Sequence, residues 1–159
     1  MWPTRATHRQ AADSPSSRGF FVSEIPSELI AAYEGTCFLV HGAQDIELWI
    51  GRPSDALSGL LSDNGLSSWA FITADNPYSQ ELSASENARR HHALVADVVS
   101  LGLRYLPGQG VGSDPSWAPE QSLLVLGISR EAATELGRRH GQNAIVFGEG
   151  PVPELLLLR

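Results

Sequence analysis

The stretch WAFITADNPYSQELSASENARRHHALVADVVSL, residues 69–101, decides the fold. Its first five residues form an apolar run typical of a buried strand. Asn76-Pro77 follows, and the chain must turn there because proline fixes its own backbone and disfavours helical angles in the residue before it. Ser83 and Glu86 have the spacing of a capping box, which predicts a helix start. In α/β proteins, ligands often bind at a polar loop that connects the end of a strand to the start of a capped helix, as here.

The length and composition indicate one domain with a substantial core, and the pattern of strands and helices described below places it in the α/β class. The chain has 159 residues, of which 42% are hydrophobic and 18% charged, as in ordinary globular proteins. Residues 1–19 are polar and lack periodicity, so we expect a disordered N-terminal tail there and a single domain over residues 20–159. No segment approaches the roughly 18 apolar residues of a membrane span.

The charge of the chain excludes several kinds of chemistry. All eleven basic residues are Arg, so a Schiff-base lysine and the lysine of a phosphate-binding P-loop are both excluded. The net charge of −7 argues against nucleic acid and anionic membranes as partners, because both bind clustered positive charge. We expect a cytoplasmic protein that binds no membrane.

The single cysteine and the paired histidines predict no metal site and no cofactor. Cys37 lies in an apolar run, which favours a buried structural thiol over a nucleophile. His91 and His92 are neighbours in a predicted helix. Their side chains therefore point to different faces and cannot bind one metal as an i, i+4 pair would.

The remaining periodicity predicts helices and strands along the rest of the chain. We expect helices over residues 23–34, 53–64 and 130–140, and strands over 36–41, 46–50, 103–106, 122–128, 143–148 and 154–158. Continuous apolar runs such as AIVF and LLLL indicate strands buried on both faces. The predicted architecture is a mixed β-sheet of about six to seven strands flanked by helices, with an α+β arrangement as the alternative. The first two strands would be antiparallel and the later ones linked by helical crossovers.

Two familiar site motifs are weak or missing. The segment Gly108-Gln109-Gly110-Val111-Gly112 does not meet the dinucleotide fingerprint and no helix follows it directly. A flexible surface loop over residues 107–119 is therefore favoured over a phosphate site. No Gly-x-Ser-x-Gly elbow is present to hold a serine nucleophile.

A more informative pattern is a dispersed set of polar and aromatic residues beside the predicted strand ends. Its members are Thr73, Asn76, Ser79, Asn87, Trp117, Glu120, Ser122 and Gln142. A buried structural network is one interpretation; a ligand-binding site, with Glu120 as candidate general acid or base, is the other. If the strands that contain Thr73 and Ser122 are antiparallel neighbours, Asn76, Asn87 and Glu120 share one polar cluster.

Several of these residues belong to four motifs that carry a family resemblance. The motifs are residues 72–77, with Ser79 after them, then Glu86-Asn87, residues 117–122 and residues 141–144. Their order and spacing resemble the uncharacterised bacterial family called domain of unknown function 3293, with a likeness that spans residues 36–148. The resemblance implies a shared fold and motif set and assigns no reaction.

Two functional hypotheses follow from the sequence. One is a small non-catalytic binding or regulatory module that acts on a protein partner. The alternative is an enzyme or a binder of a small polar ligand, with a site formed by the Asn76 loop and Glu120. A pocket at the Asn76 loop that contains Glu120 would favour the second, whereas side chains engaged with the backbone would favour the first.

Overall fold

The computed structural model describes residues 25–159. These residues form four α-helices and seven strands, with a single 3-10 turn at Pro77–Ser79 between β3 and α3. In chain order they are α1 Ser27–Glu34, β1 Cys37–Val40, β2 Ile46–Leu48, α2 Asp55–Asp63, β3 Ser68–Thr73, α3 Ala84–Ser100, β4 Arg104–Val111, β5 Glu120–Leu126, α4 Arg130–Arg139, β6 Ala144–Glu149 and β7 Glu154–Leu157. The predicted tail over residues 1–19 and the predicted start of the first helix lie outside the described residues.

The strands form one sheet in the order β2-β1-β4-β5-β3-β6-β7. The α/β class and the strand number are confirmed, but the predicted mixed sheet is wrong, because every pairing in the described part is antiparallel. The helical crossovers do link parallel strands: α3 leads from β3 to β4, and α4 leads from β5 to β6. In each case an antiparallel strand lies between the two, β5 in the first and β3 in the second. Periodicity along the chain predicts that a helix connects two strands, but it does not predict that a third strand lies between them in the sheet.

The central strands are buried on both faces, as their continuous apolar runs predict. The same prediction is wrong for the LLLL run, because β7 is an edge strand and its leucines are only partly buried. One face of the sheet packs on α1 and α2 through a core that includes Tyr33, Leu57 and Trp69. The other packs on α3 and α4 through a core that includes Leu94 and Leu136. Successive side chains of a strand point to opposite faces, so each residue of β3 and β5 can be assigned to one core or the other.

The predicted flexible loop is wrong at its start, because β4 continues through Val111. Gly108 pairs with Val40 of β1 on one side and with Ser122 of β5 on the other. A side-chain carbon there would lie 2.5 Å from the carbonyl oxygen of Leu39 and 2.9 Å from the Phe71 ring. The glycine is therefore required by close packing within the sheet.

We expect Gly108→Ala to reduce the free energy of unfolding by about 1–3 kcal/mol, because the added methyl group overpacks the sheet. Gly110→Ala is the matched control on the same strand, since the nearest atom to its added carbon, Thr36 Cγ2, is 3.9 Å away. Urea unfolding of both variants measures the difference. Equal midpoints for the two variants would contradict a packing role for Gly108.

Cys37 is half-buried, not fully buried as predicted. The reason is the alternation of β1, whose neighbouring residues Phe38 and Val40 take the core positions. Burial, with a smaller contribution from the charge of Glu47, raises the pKa of the Cys37 thiol. A raised pKa favours the unreactive thiol form, as expected for a structural cysteine.

Candidate functional site

The loop that follows β3, residues 75–80, has a strained backbone. Asn76, Tyr78 and Ser79 have positive φ angles of 47°, 55° and 60°. Such conformations cost of order 1–3 kcal/mol each for residues other than glycine and persist only where the surroundings enforce them. Asparagine tolerates this region better than most residues. We call residues 75–80 the Asn76 loop.

The side chain of Asn76 ties the Asn76 loop to α3 and to β5. Its Nδ2 donates to Glu120 Oε1 at 3.1 Å, and its Oδ1 accepts from Leu82 N and from Asn87 Nδ2, both at 2.9 Å. The Oδ1 of Asn87 in turn accepts from the backbone N–H of Asn76 at 2.9 Å. The predicted polar cluster of Asn76, Asn87 and Glu120 is confirmed.

The segment between α4 and β6 holds the Asn76 loop from the other side. Tyr78 N donates to the carbonyl oxygen of Gly141 at 2.7 Å. Gln142 Nε2 donates to the carbonyl oxygen of Asp75 at 3.2 Å, and Asn143 Nδ2 donates to Ser79 Oγ at 3.0 Å. The 141–144 motif therefore positions the loop.

Thr73 and Ser122 are directly opposite each other in the β3–β5 pairing. The Thr73 hydroxyl donates to the carbonyl oxygen of Gln121 at 2.6 Å and accepts from Asp75 N at 3.0 Å. The Ser122 hydroxyl donates to the carbonyl oxygen of Glu120 at 3.0 Å. Both hydroxyls are thus engaged with the backbone, and that of Thr73 holds the chain where it leaves β3.

The residue that this network positions is Asp75, which the sequence analysis did not select. Asp75 is only 5% exposed. Its Oδ2 accepts from Gln121 N at 2.9 Å, while its Oδ1 is buried and has no hydrogen-bond partner among residues 25–159. Burial raises the pKa of Asp75 to about 6, with the charge of Glu120 adding to the rise and the bond from Gln121 opposing it. A carboxylate directly after a buried strand was the signal that could have found it.

Asp75 lines a cleft of about 380 Å³ that we call the Asp75 cleft. Its walls come from the loop between β3 and α3, from the first turns of α3, and from the segment just before and at the start of β5. Of the residues predicted from the sequence, Asn76, Asn87 and Trp117 line it. The volume is within the range of small-molecule sites.

Glu120 lies on the other face of the sheet and does not line the Asp75 cleft. With Thr73 and Ser122 it lines a separate cavity of about 10 Å³, which is the size of about one water molecule. Glu120 is 2% exposed. Nearby, burial raises the pKa of the Tyr33 hydroxyl to about 12. The residues predicted from the sequence therefore lie at two separate places. Asn76, Asn87 and Trp117 line the Asp75 cleft, whereas Glu120 faces the enclosed interior and is joined to the Asn76 loop by its bond from Asn76.

Over the described range, no three His, Cys, Asp or Glu side chains are grouped so that they could hold a metal ion. No helix among residues 25–159 is both long and apolar enough to cross a membrane.

The four motifs of the sequence therefore meet at one loop, and comparison with known proteins agrees with the family resemblance. Residues 72–145 match the family described as Protein of unknown function (DUF3293). This confirms the resemblance over a shorter span than the predicted 36–148. The matched DUF3293 segment runs from β3 into β6 and so contains both the Asn76 loop and Asp75. No curated protein and no solved structure matches the chain.

Proposed function

We propose that this protein is a non-catalytic module that binds a small polar molecule in the Asp75 cleft. The observation that carries the proposal is the buried Oδ1 of Asp75, which lacks a hydrogen-bond partner within residues 25–159. A buried acceptor left unpaired costs about 1–3 kcal/mol. A ligand donor that reached Oδ1 from the cleft would remove that cost, and because Oδ1 is shielded from solvent the cleft wall must shift slightly to admit it.

The remaining network supports binding without a chemical step. Asn76 and Asn87 use their amide groups on each other, on the backbone and on Glu120. Glu120, the candidate general acid or base, adjoins a cavity of water size and not the cleft. We therefore assign these residues to support of the Asn76 loop, and Asp75 to contact with the ligand.

The proposal includes a cytoplasmic location and excludes nucleic acid as the partner. The net charge of −7 supports the exclusion, because phosphate backbones attract proteins with clustered positive charge. The lone cysteine, which leaves no intramolecular disulfide possible, is typical of a reducing compartment.

A thermal-shift screen of polar metabolites tests the proposal when it is run on the unmodified protein and on a variant whose cleft is blocked. Ala88 is an exposed residue of α3 that lines the cleft, so Ala88→Phe fills it. Ala96→Phe places the same ring at an exposed position on α3 outside the cleft and is the matched control. A ligand at 100 times its Kd stabilises the folded state by about 2.7 kcal/mol, which for a chain of this size raises Tm by roughly 5–10 °C.

We expect at least one compound to raise Tm of the unmodified protein and of Ala96→Phe but not of Ala88→Phe. The proposal is wrong if no compound does so, or if every active compound stabilises Ala88→Phe equally.

A further inference from the structure

We infer that the ligand of the Asp75 cleft carries a protonated amino group. This inference rests on the proposed function and names the chemical class of its ligand. It follows from the charges that line the cleft, from the geometry of Asp75 and from the aromatic wall beside it.

The cleft has acidic walls. Of the eleven described residues that line it, Asp75 and Glu81 are acidic and none is basic. Glu81 is exposed at the rim, whereas Asp75 is buried deeper in the wall. An ammonium group that enters between them would be attracted by two carboxylates, the deeper of which is little screened by water.

The two oxygens of Asp75 have different surroundings. Oδ2 accepts a backbone hydrogen bond from Gln121, and Oδ1 has no partner among the described residues. A buried carboxylate is costly unless it is paired with a positive charge. An ammonium donor at Oδ1 would supply both the missing hydrogen bond and the positive charge, and charge-assisted bonds of this kind are stronger than neutral ones.

The N-terminus of α3 also borders the cleft, and by itself it would favour an anion. That preference is weakened in the structure. Ser83 Oγ accepts from Glu86 N at 3.2 Å, and Glu86 adds an acidic side chain in the first turn. A helix end is equivalent to roughly half a positive charge, which the carboxylates of Asp75 and Glu81 outweigh.

The cleft also has an apolar wall suited to the body of an amine. Trp117, Leu82 and Pro119 line it together with alanines. An aromatic ring next to a cation adds about 0.5–2 kcal/mol of attraction when the cation stands over its face. A metal ion fits the site less well, because hard cations take six or more oxygen ligands and the cleft offers two carboxylates.

Two matched sets of probes test the inference. The first is 2-phenylethylamine, 2-phenylethanol and phenylacetate, and the second is 1,4-diaminobutane, 1,4-butanediol and succinate. Within each set the size is similar and the charge changes from positive to neutral to negative. Binding is measured by calorimetry at pH 7.5 on the full chain and on Ala88→Phe, Asp75→Asn, Glu81→Gln and the remote control Asp63→Asn.

We expect the amine of at least one set to bind and its neutral and anionic analogues not to bind. Asp75→Asn should weaken binding by roughly tenfold or more, because it removes the buried charge of a charge-assisted bond. Glu81→Gln should weaken it by only about two- to threefold, since exposed charge pairs contribute little. Asp63→Asn, on the exposed end of α2, should leave the affinity unchanged.

The inference and the proposed function fail in different ways. If a neutral or anionic probe binds more tightly than its amine, or if the metabolites blocked by Ala88→Phe lack an amino group, the inference is wrong and the proposed function stands. If no probe and no metabolite binds in a manner that Ala88→Phe blocks, both are wrong. Amine binding that Asp75→Asn leaves intact also overturns the inference.

Discussion

Asp75→Asn is expected to raise the free energy of unfolding by about 2 kcal/mol at pH 8 and by less than about 0.5 kcal/mol at pH 4. Burial raises the pKa of Asp75 from 3.8 to about 6, so the folded state binds more protons than the unfolded state between these pH values. The stability of the unmodified protein must therefore fall as pH rises through this window. Asparagine does not titrate, so the difference in free energy of unfolding between Asp75→Asn and the unmodified protein grows as pH rises. The full shift corresponds to about 3 kcal/mol, and about 1 kcal/mol of it is offset because the amide of asparagine leaves a buried polar group without a partner.

Chemical unfolding at pH 4, 6 and 8 measures this difference, and Tm at pH 8 should rise by roughly 4–8 °C. Asp63→Asn is the control for loss of a carboxylate and should change stability by no more than about 0.5 kcal/mol at any of the three pH values. A destabilised Asp75→Asn variant at pH 8, or a difference from the unmodified protein that does not change with pH, would contradict the raised pKa.

The same substitution is expected to weaken the binding of an amine by roughly tenfold or more. A side chain whose replacement makes the fold more stable is not retained for stability, and a cost of this kind is common where function requires a strained or desolvated group. Higher stability together with weaker binding in one variant is therefore the result expected if Asp75 contacts the ligand and the other network residues only support the loop.

Asn76→Ala is expected to reduce the free energy of unfolding by about 3–5 kcal/mol, the largest loss among the variants considered. The substitution removes three side-chain hydrogen bonds, one each with Glu120, Leu82 and Asn87. It also places alanine at a φ of 47°, which costs about 1–2 kcal/mol without an asparagine side chain. Asn76→Gly separates the two effects, because glycine adopts this backbone without strain but restores none of the bonds.

A double-mutant cycle measures how strongly Asn76 and Glu120 are coupled. Because Asn76 Nδ2 donates directly to Glu120 Oε1, Asn76→Ala and Glu120→Gln should show a coupling energy of about 0.5–3 kcal/mol. The control pair is Asn76→Ala with Gly108→Ala, in which the two changed residues share no partner. Additive effects in the first cycle would show that the Asn76–Glu120 bond contributes nothing to stability.

The local elements of the Asn76 loop could be predicted from the sequence because their causes are local. Pro77 forces a turn, and Ser83 caps α3 by accepting from Glu86 N. In a full capping box the Glu86 carboxylate would also accept from the backbone N–H of Ser83. Here that carboxylate pairs with Arg89 and Arg90 instead. The family resemblance depended on the residues, order and spacing of four short motifs, and the match over residues 72–145 confirms it.

The role of Gly108 could not be predicted locally. Glycines beside a proline are typical of loops, and nothing in their own segment shows that Leu39 and Phe71 approach Gly108 from other strands. The inserted antiparallel strands were missed for the same reason. Strand neighbours are determined by contacts between residues far apart in the chain, and helical crossovers are compatible with both arrangements.

The sequence by itself determined the helices, most of the strands and most of the polar residues that meet beside β3. Hydrophobic periodicity, helix capping and proline act within a few residues, so their effects can be predicted locally. Only the tertiary structure decided which of the polar residues beside β3 lines the cleft and which is enclosed in the interior. The alternation of β5 directs the side chain of Glu120 into the interior and that of Gln121 to the opposite face, while the backbone N–H of Gln121 donates to Asp75. A shift of one residue in the pairing of β3 with β5 would exchange those faces, and that register depends on contacts across the whole sheet.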